Sequence, residues 1–221
     1  VMAFQDYKAH KGFFDSDWVG LAHFERLFSD NTFWNALKNT FAMGVMGLVF
    51  GTIFAIGFAL LLNEMRFTKY KKITQTISYL PHFVSWVVVA SIVGTMLSID
   101  GPVNQIMQGL GIWEADRLLL GESQYFWWIV TFADVWKEMG WNAIIYLAAM
   151  VGISKELYEA ASIDGASRFQ KMRMITLPSI KPIIVVLLII SIGNLINIGF
   201  ERQMLLGGLT VYDKAMVLDW Y

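Results

Sequence analysis

Asp134, Lys137 and Glu138 stand inside an otherwise apolar run, 125–151. Ionised groups in such surroundings are costly unless they are paired or face water, so they mark either a structural ion pair or a functional path. Asp134 and Lys137 are spaced to pair on one helical face. Trp136 and Trp141 flank the charges, and Asn142 follows. Aromatic rings beside amides and carboxylates suit a sugar, whose C–H faces pack on rings while its hydroxyls need hydrogen bonds. A second polar pair, Asn194 and Asn197, lies in the uncharged run 182–200. Three residues apart on a helix, the two amides share a face, where they either bond a neighbouring helix or line a path. The candidate solute-path residues are therefore Trp136, Trp141, Asn142, Asn194 and Asn197, with Glu201 and Arg202 as weaker candidates at an outer mouth.

Other chemistries find little support. There is no cysteine, which excludes disulfides and thiolate metal sites. His10, His23 and His82 are scattered and read as surface or interface residues rather than ligands. No Ser/His/Asp set and no metal-ligand cluster is evident. No Gly-x-x-x-x-Gly-Lys-Ser/Thr sequence occurs, so the chain has no phosphate cradle of its own and is not expected to hydrolyse ATP. Neither a cofactor nor a metal held by this chain is expected, and no nucleic-acid partner.

The elements that must position these residues are membrane spans. Apolar residues make up 56% of the chain and charged ones 16%, against about 25% in a soluble domain. Mean hydropathy is +0.51. Four runs stand out: 36–63, 77–99, 125–151 and 182–200. Each approaches the roughly 20 residues that cross a hydrocarbon core as a helix. Helices are expected rather than a barrel, because the runs are continuously apolar and do not alternate. The fold expected is an all-α polytopic membrane protein, with residues 1–221 as one transmembrane domain. The start at Val1, without a charged stretch leading into an apolar one, is expected of an internal fragment rather than of a signal peptide.

Lys and Arg set the orientation. The segment 64–76 carries Arg66, Lys69, Lys71 and Lys72, and 152–181 carries Lys155, Arg168, Lys171, Arg173 and Lys181. The segment 100–124 carries only Arg117, beside four acids. Both basic segments are expected in the cytoplasm, with 100–124 and the stretch after Phe200 outside. In the first run, Gly47, Gly51, Ala55 and Ala59 repeat every four residues. Such a stripe favours close helix packing within the chain, with contact to a partner subunit as the alternative.

The segment 152–181 is a polar, helix-forming insert between two spans. Ser154 can cap a helix whose first turns hold Glu156 and Glu159, acids that suit its positive end. Leu157 and Ala161 share one face, Ala160 and Asp164 the next. Gly165 can end this helix in the left-handed conformation. Ser167-Arg168-Phe169-Gln170 is a capping-box pattern that starts a second short helix, and Pro178 is expected to end it.

This order resembles the EAA loop of inner-membrane permease subunits of binding-protein-dependent ABC importers. The residues that carry the resemblance are Glu159-Ala160-Ala161, Asp164-Gly165-Ala166 and Leu177-Pro178, between a Trp-rich span and an apolar one. Ala3-Phe4-Gln5-Asp6-Tyr7, Trp18-Val19-Gly20-Leu21 with Phe24, and Asn39-Thr40 are similar to carbohydrate permeases of the maltose-permease type. Gly199-Phe200-Glu201-Arg202 with Val211-Tyr212-Asp213 is similar to the polysaccharide or alginate branch. The resemblance covers essentially the whole chain.

It implies the helical-bundle fold of type I importer permeases, with a further helix before Val1 and another after Tyr221. It implies a subunit of the bacterial cytoplasmic (inner) membrane that forms a sugar pathway with a second, homologous permease subunit. An extracytoplasmic solute-binding protein delivers an oligosaccharide or polysaccharide-derived sugar. A dimer of ATP-binding cassette ATPases holds ATP and Mg. In that family the loop seats in a groove on the ATPase, so Glu159, Ala160, Ala161, Asp164, Gly165, Leu177 and Pro178 are the expected coupling residues. Two alternatives are a permease for a non-sugar solute and a proton-coupled secondary transporter built on Asp134, Lys137 and Glu138. The second has no use for a bent, alanine-rich cytoplasmic hairpin.

Overall fold

The computed structural model describes residues 2–8, 10, 12, 14 and 16–221. Among the described residues it is a helical bundle with one small antiparallel ladder, β1 (Gln5–Asp6) against β2 (Asp17–Trp18). A short helix α1 (Ala22–Ser29) leads into α2 (Asn31–Glu64). At 34 residues α2 is about 50 Å long. It starts before its apolar run because Asp30 caps it: the carboxylate accepts from the Thr32 amide at 2.8 Å.

The longest partner of α2 is α6 (Ser123–Val151). The two run in the same direction. Met43 shares one core cluster with Phe126 and Val130, and Leu62 shares another with Tyr146 and Met150. Small residues let the backbones approach. Ala55, Ala59 and Ala143 are buried in the second cluster, whereas Gly47 and Gly51 would accept a methyl group without touching anything. The stripe therefore divides, its alanines packing within the chain and its glycines bordering open space.

A third long helix returns antiparallel to these two. It comprises α8 (Arg168–Lys171), one π turn (Met172–Thr176) and α9 (Leu177–Gly193), a continuous 26 residues. Ile180 joins Leu62 and Met150 in the second cluster. That end of the bundle is where both basic segments leave it, as their shared charge implied. Length and apolarity alone qualify α2 and 168–193 to cross a membrane. The outer surfaces are as apolar as the core, with Ile53, Leu61, Ile189 and Ile190 more than half exposed. That is the pattern of helices in hydrocarbon, held by close packing rather than by transfer out of water.

Two expected spans differ from their runs. The run 77–99 is not one helix. It joins the end of α3 (Thr68–Tyr79), a 3-10 turn (Leu80–Phe83) and α4 (Trp86–Met96), and the axis bends by 104°. Pro81 supplies no amide hydrogen, and Ser85 is extended ahead of α4 (φ −65°, ψ 153°). The fourth run stops early, because α9 ends at Gly193.

Beyond it the chain folds back. Helices α10 (Glu201–Gly207) and α11 (Tyr212–Ala215) place Leu206, Val211, Ala215 and Val217 in the first core cluster. Asn39 in α2 holds them, donating to the carbonyls of Asp213 (2.9 Å) and Met216 (2.8 Å). The Thr40 hydroxyl accepts from the Leu218 amide at 2.8 Å. At the same end, α5 (Pro102–Gly109) is tied by the fully buried Asn104, which bonds the carbonyls of Ser98 and Arg117, each at 2.8 Å.

Candidate functional site

The central polar feature is a cavity of about 330 Å³ between α2, α6 and the end of α9. Gly44 and Gly47 of α2 contribute no side chain to its wall. Asp134 comes from α6, Ser191 from α9, Asn194 and Asn197 from the turn beyond, and Arg202 from α10. Asn194 terminates α9, its amide nitrogen Nδ2 folding back to the Ile190 carbonyl at 3.1 Å. The Asn197 backbone N–H then donates to the Asn194 backbone carbonyl at 3.0 Å. The two asparagines thus sit in a turn rather than on one helical face, yet the turn brings both to one cavity. Gly44 makes this possible: a Cβ there would lie 2.6 Å from the Leu195 carbonyl oxygen.

Asp134 does not pair with Lys137. Its carboxylate bonds the Arg202 guanidinium, and the two side chains are 23% and 16% exposed. The i, i+3 spacing permits the expected pair, but α10 folds Arg202 against Asp134 while Lys137 is engaged by the His82 carbonyl and Glu138. Lys137 is buried and turns instead to the broken span. Its ammonium donates to the His82 carbonyl at 2.6 Å and to Glu138 at 3.1 Å. The other Glu138 oxygen meets His82 Nδ1 at 2.7 Å, and the imidazole lies flat on Trp141, 4.4 Å between centres. His82 is thus an interface residue within the chain. It fastens the bend between α3 and α4 to α6.

The five path candidates are consequently not gathered in one place. Asn194 and Asn197 share the polar cavity. Asn142 borders a smaller one of about 110 Å³ with Thr52 and Tyr146, reached past Ser191, which lines both. Trp136 walls a separate apolar recess against Ile77, Leu80 and Pro81, and the face of Trp141 is taken by His82. Arg202 is the residue that spacing undervalued. The available signal was charge balance, since an acid deep in an apolar span demands a cation from somewhere.

At the other end lies the 152–181 hairpin. In α7 (Lys155–Ile163), Ser154 Oγ accepts from the Glu156 amide at 3.2 Å. The helix closes in a Schellman turn: the Ala166 amide bonds the Ala161 carbonyl at 2.8 Å and the Gly165 amide bonds that of Ser162 at 3.2 Å. Gly165 has φ +77°, as its position requires. Ser167 and Gln170 form the reciprocal capping box of α8, at 3.3 and 2.7 Å. Lys171 donates to Ser162 Oγ at 2.5 Å, and the Tyr158 hydroxyl bonds that of Thr176 at 2.8 Å, so the two short helices are braced on each other. Glu159, Ala160, Asp164 and Gly165 are exposed and Ala161 is half-buried. Leu157, Ile163 and Phe169 are also exposed, Ile163 to 87%, giving the hairpin an apolar outer surface.

Pro178 does not end the second helix. It sits in the first turn of α9, immediately after the π turn. The widened turn absorbs the missing amide hydrogen and the bulk of the ring, so the helix runs on. Leu177 and Pro178 are therefore the root of a membrane helix rather than a stop.

Comparison with known proteins agrees with this geometry. Residues 47–212 match the family described as binding-protein-dependent transport system inner membrane component. The chain is 44% identical over 222 residues to the polygalacturonan/rhamnogalacturonan transport system permease protein YteP of Bacillus subtilis, covering all of this chain and 68% of that one. It is 38% identical to protein LplB of the same organism, covering all of this chain and 69% of LplB. A crystal structure of a bacterial ABC transporter that imports the acidic polysaccharide alginate superposes with a TM-score of 0.88 at 40% identity, over 100% of this chain and 73% of the other. With its polar cavity between spans, its braced hairpin at the basic end and these relatives, the chain belongs to the family of binding-protein-dependent transport system inner membrane components.

Proposed function

We propose that this chain is one of two homologous permease subunits lining the pathway of an ATP-driven importer for an oligosaccharide or polysaccharide-derived sugar. The observation that carries the reading is the pairing of two features at opposite ends of one bundle. A cavity lined by amides, a hydroxyl and an ion pair lies toward one end, and a braced, apolar-faced hairpin lies at the other. The named substrates of its relatives support sugar as the solute: the pectic polymers named for YteP, the alginate of the superposed transporter, and the lactose of the permease LacF, 33% identical over 184 residues.

On this reading the bundle sits in the cytoplasmic membrane with the basic end inward. An extracytoplasmic binding protein delivers the sugar, and the related alginate transporter has been seen with such a protein carrying a pentasaccharide. ATP and Mg bind to a pair of cytoplasmic ATPases, and Glu159, Ala160, Ala161, Asp164 and Gly165 form the element seated on one of them. Asn194 and Asn197 offer amides to sugar hydroxyls as the solute passes.

The test is the complete importer in proteoliposomes, with sugar-stimulated ATP hydrolysis measured across a panel of oligosaccharides. At least one should stimulate hydrolysis and be taken up, and Asn197→Ala should reduce that uptake several-fold while the complex still co-purifies. Stimulation by a non-sugar solute alone would replace the sugar reading.

A further inference from the structure

Arg202 stands between two cavities. On one side is the space shared with Asp134, Asn194 and Asn197. On the other is a recess of about 220 Å³ walled by Trp86, Phe200 and Glu201, and Arg202 and Ile198 belong to both walls. The guanidinium lies 5.9 Å from the centre of the Trp86 ring. Its bond to Asp134 runs from Nη1 to one carboxylate oxygen, short of the two-pronged grip a guanidinium can give a carboxylate.

We infer that Arg202 reads charge on the solute. The path takes an oligosaccharide that bears carboxylates, a uronic-acid oligomer, and Asp134 occupies the guanidinium while the path is empty. This rests on the sugar reading above. A neutral sugar cannot take Asp134's place, because separating the pair would leave two largely buried side chains, 16% and 23% exposed, without an opposite charge. A solute carboxylate can, since it restores the partner that Arg202 loses. The released Asp134 is not stranded. Lys137 stands three residues along the same helix, and the i, i+3 spacing allows the two to meet. Glu138 keeps its second partner, His82, while Lys137 turns. After the exchange Arg202 and Lys137 each face one carboxylate, and the added negative charge falls to Glu138, whose side chain is 28% exposed. Trp86 presents a flat ring beside the guanidinium, where the C–H face of a sugar can pack, and Asn194 and Asn197 offer hydroxyl partners across it.

The test uses the permease–ATPase complex in detergent without the external binding protein, whose own selectivity would mask that of the path. Binding of tri-galacturonate is compared with that of its neutral methyl ester, which has the same length and rings, by quenching of tryptophan fluorescence. The acid should bind roughly tenfold more tightly than the ester, the scale of a charge-assisted hydrogen bond. Arg202→Gln should bring the ratio close to one, and Arg202→Lys should keep part of it. Asp134→Asn, which removes the internal competitor, should tighten binding of the acid and not of the ester. The double variant Asp134→Asn/Arg202→Gln leaves no unpaired charge, so it reports on the ratio even if Arg202→Gln alone does not assemble. Equal binding of acid and ester by the unaltered protein, or an acid preference that survives in the double variant, would overturn the inference and leave the sugar reading standing. If neither form binds, both readings fall together.

Discussion

At the scale of single residues, close approach governs as much as charge. Gly140 lies where α6 crosses the end of α3, and a Cβ there would come within 2.0 Å of the Ser78 carbonyl oxygen. Backbone cannot yield as a flexible side chain can, so Gly140→Ala must push α3 away from α6 and disturb the bonds of His82 beyond it. The expected cost is about 1–3 kcal/mol, seen as a lower unfolding temperature of the detergent-solubilised protein. Gly57→Ala is the control, because nothing lies within 4 Å of its would-be Cβ. It should hold or raise that temperature, since alanine is the better helix former. Equal losses in the two variants would show that helix propensity, not the crossing, sets the effect.

At the scale of elements, the 152–181 hairpin is braced by its own hydrogen bonds, Lys171 to Ser162 and Tyr158 to Thr176. Its bend depends on Gly165 at φ +77°, where a β-branched residue is strained. Gly165→Val should misdirect α7 relative to α8, so that the ATPase co-purifies poorly although the protein still inserts in the membrane. Ala161→Trp should act differently, leaving the bend intact and overpacking the groove that receives it. An overpacking cost of about 1–3 kcal/mol corresponds to roughly a tenfold or greater loss of ATPase affinity. Recovery of the ATPase at the unaltered level with Ala161→Trp, and unchanged transport, would show that this hairpin is not where the two proteins couple.

At the scale of the whole molecule, the bundle has a chemical polarity. One end carries both basic segments, while the other carries the folded-back α10 and α11 with the acidic stretch 100–124. The absence of cysteine allows clean labelling. In intact cells a cysteine at Lys72 or Lys155 should resist an impermeant thiol reagent, and one at the exposed Gln108 should react. Reaction at Lys155 from outside would invert the orientation and remove the hairpin from reach of any cytoplasmic ATPase.

What the sequence by itself determined is local. The caps at Ser154 and Ser167 and the left-handed Gly165 follow from side-chain chemistry over a few residues, and the structure has all three. The all-α character and the common end of the two basic segments follow from continuous apolar runs and the charges between them. The broken second span was partly legible in Pro81, but an uncharged run hides a bend when hydropathy is averaged along it. Only the tertiary structure decided which partners the buried charges take. Asp134 reaches Arg202, 68 residues on, because the chain turns at Asn194 and folds α10 back against α4 and α6. Lys137 is drawn to the carbonyl of His82 because Pro81 and the bend beyond it bring that backbone against α6. Spacing along a helix states which pairs are possible. Where charges are largely buried, the choice among them falls to whichever opposite charge or free carbonyl the rest of the fold delivers.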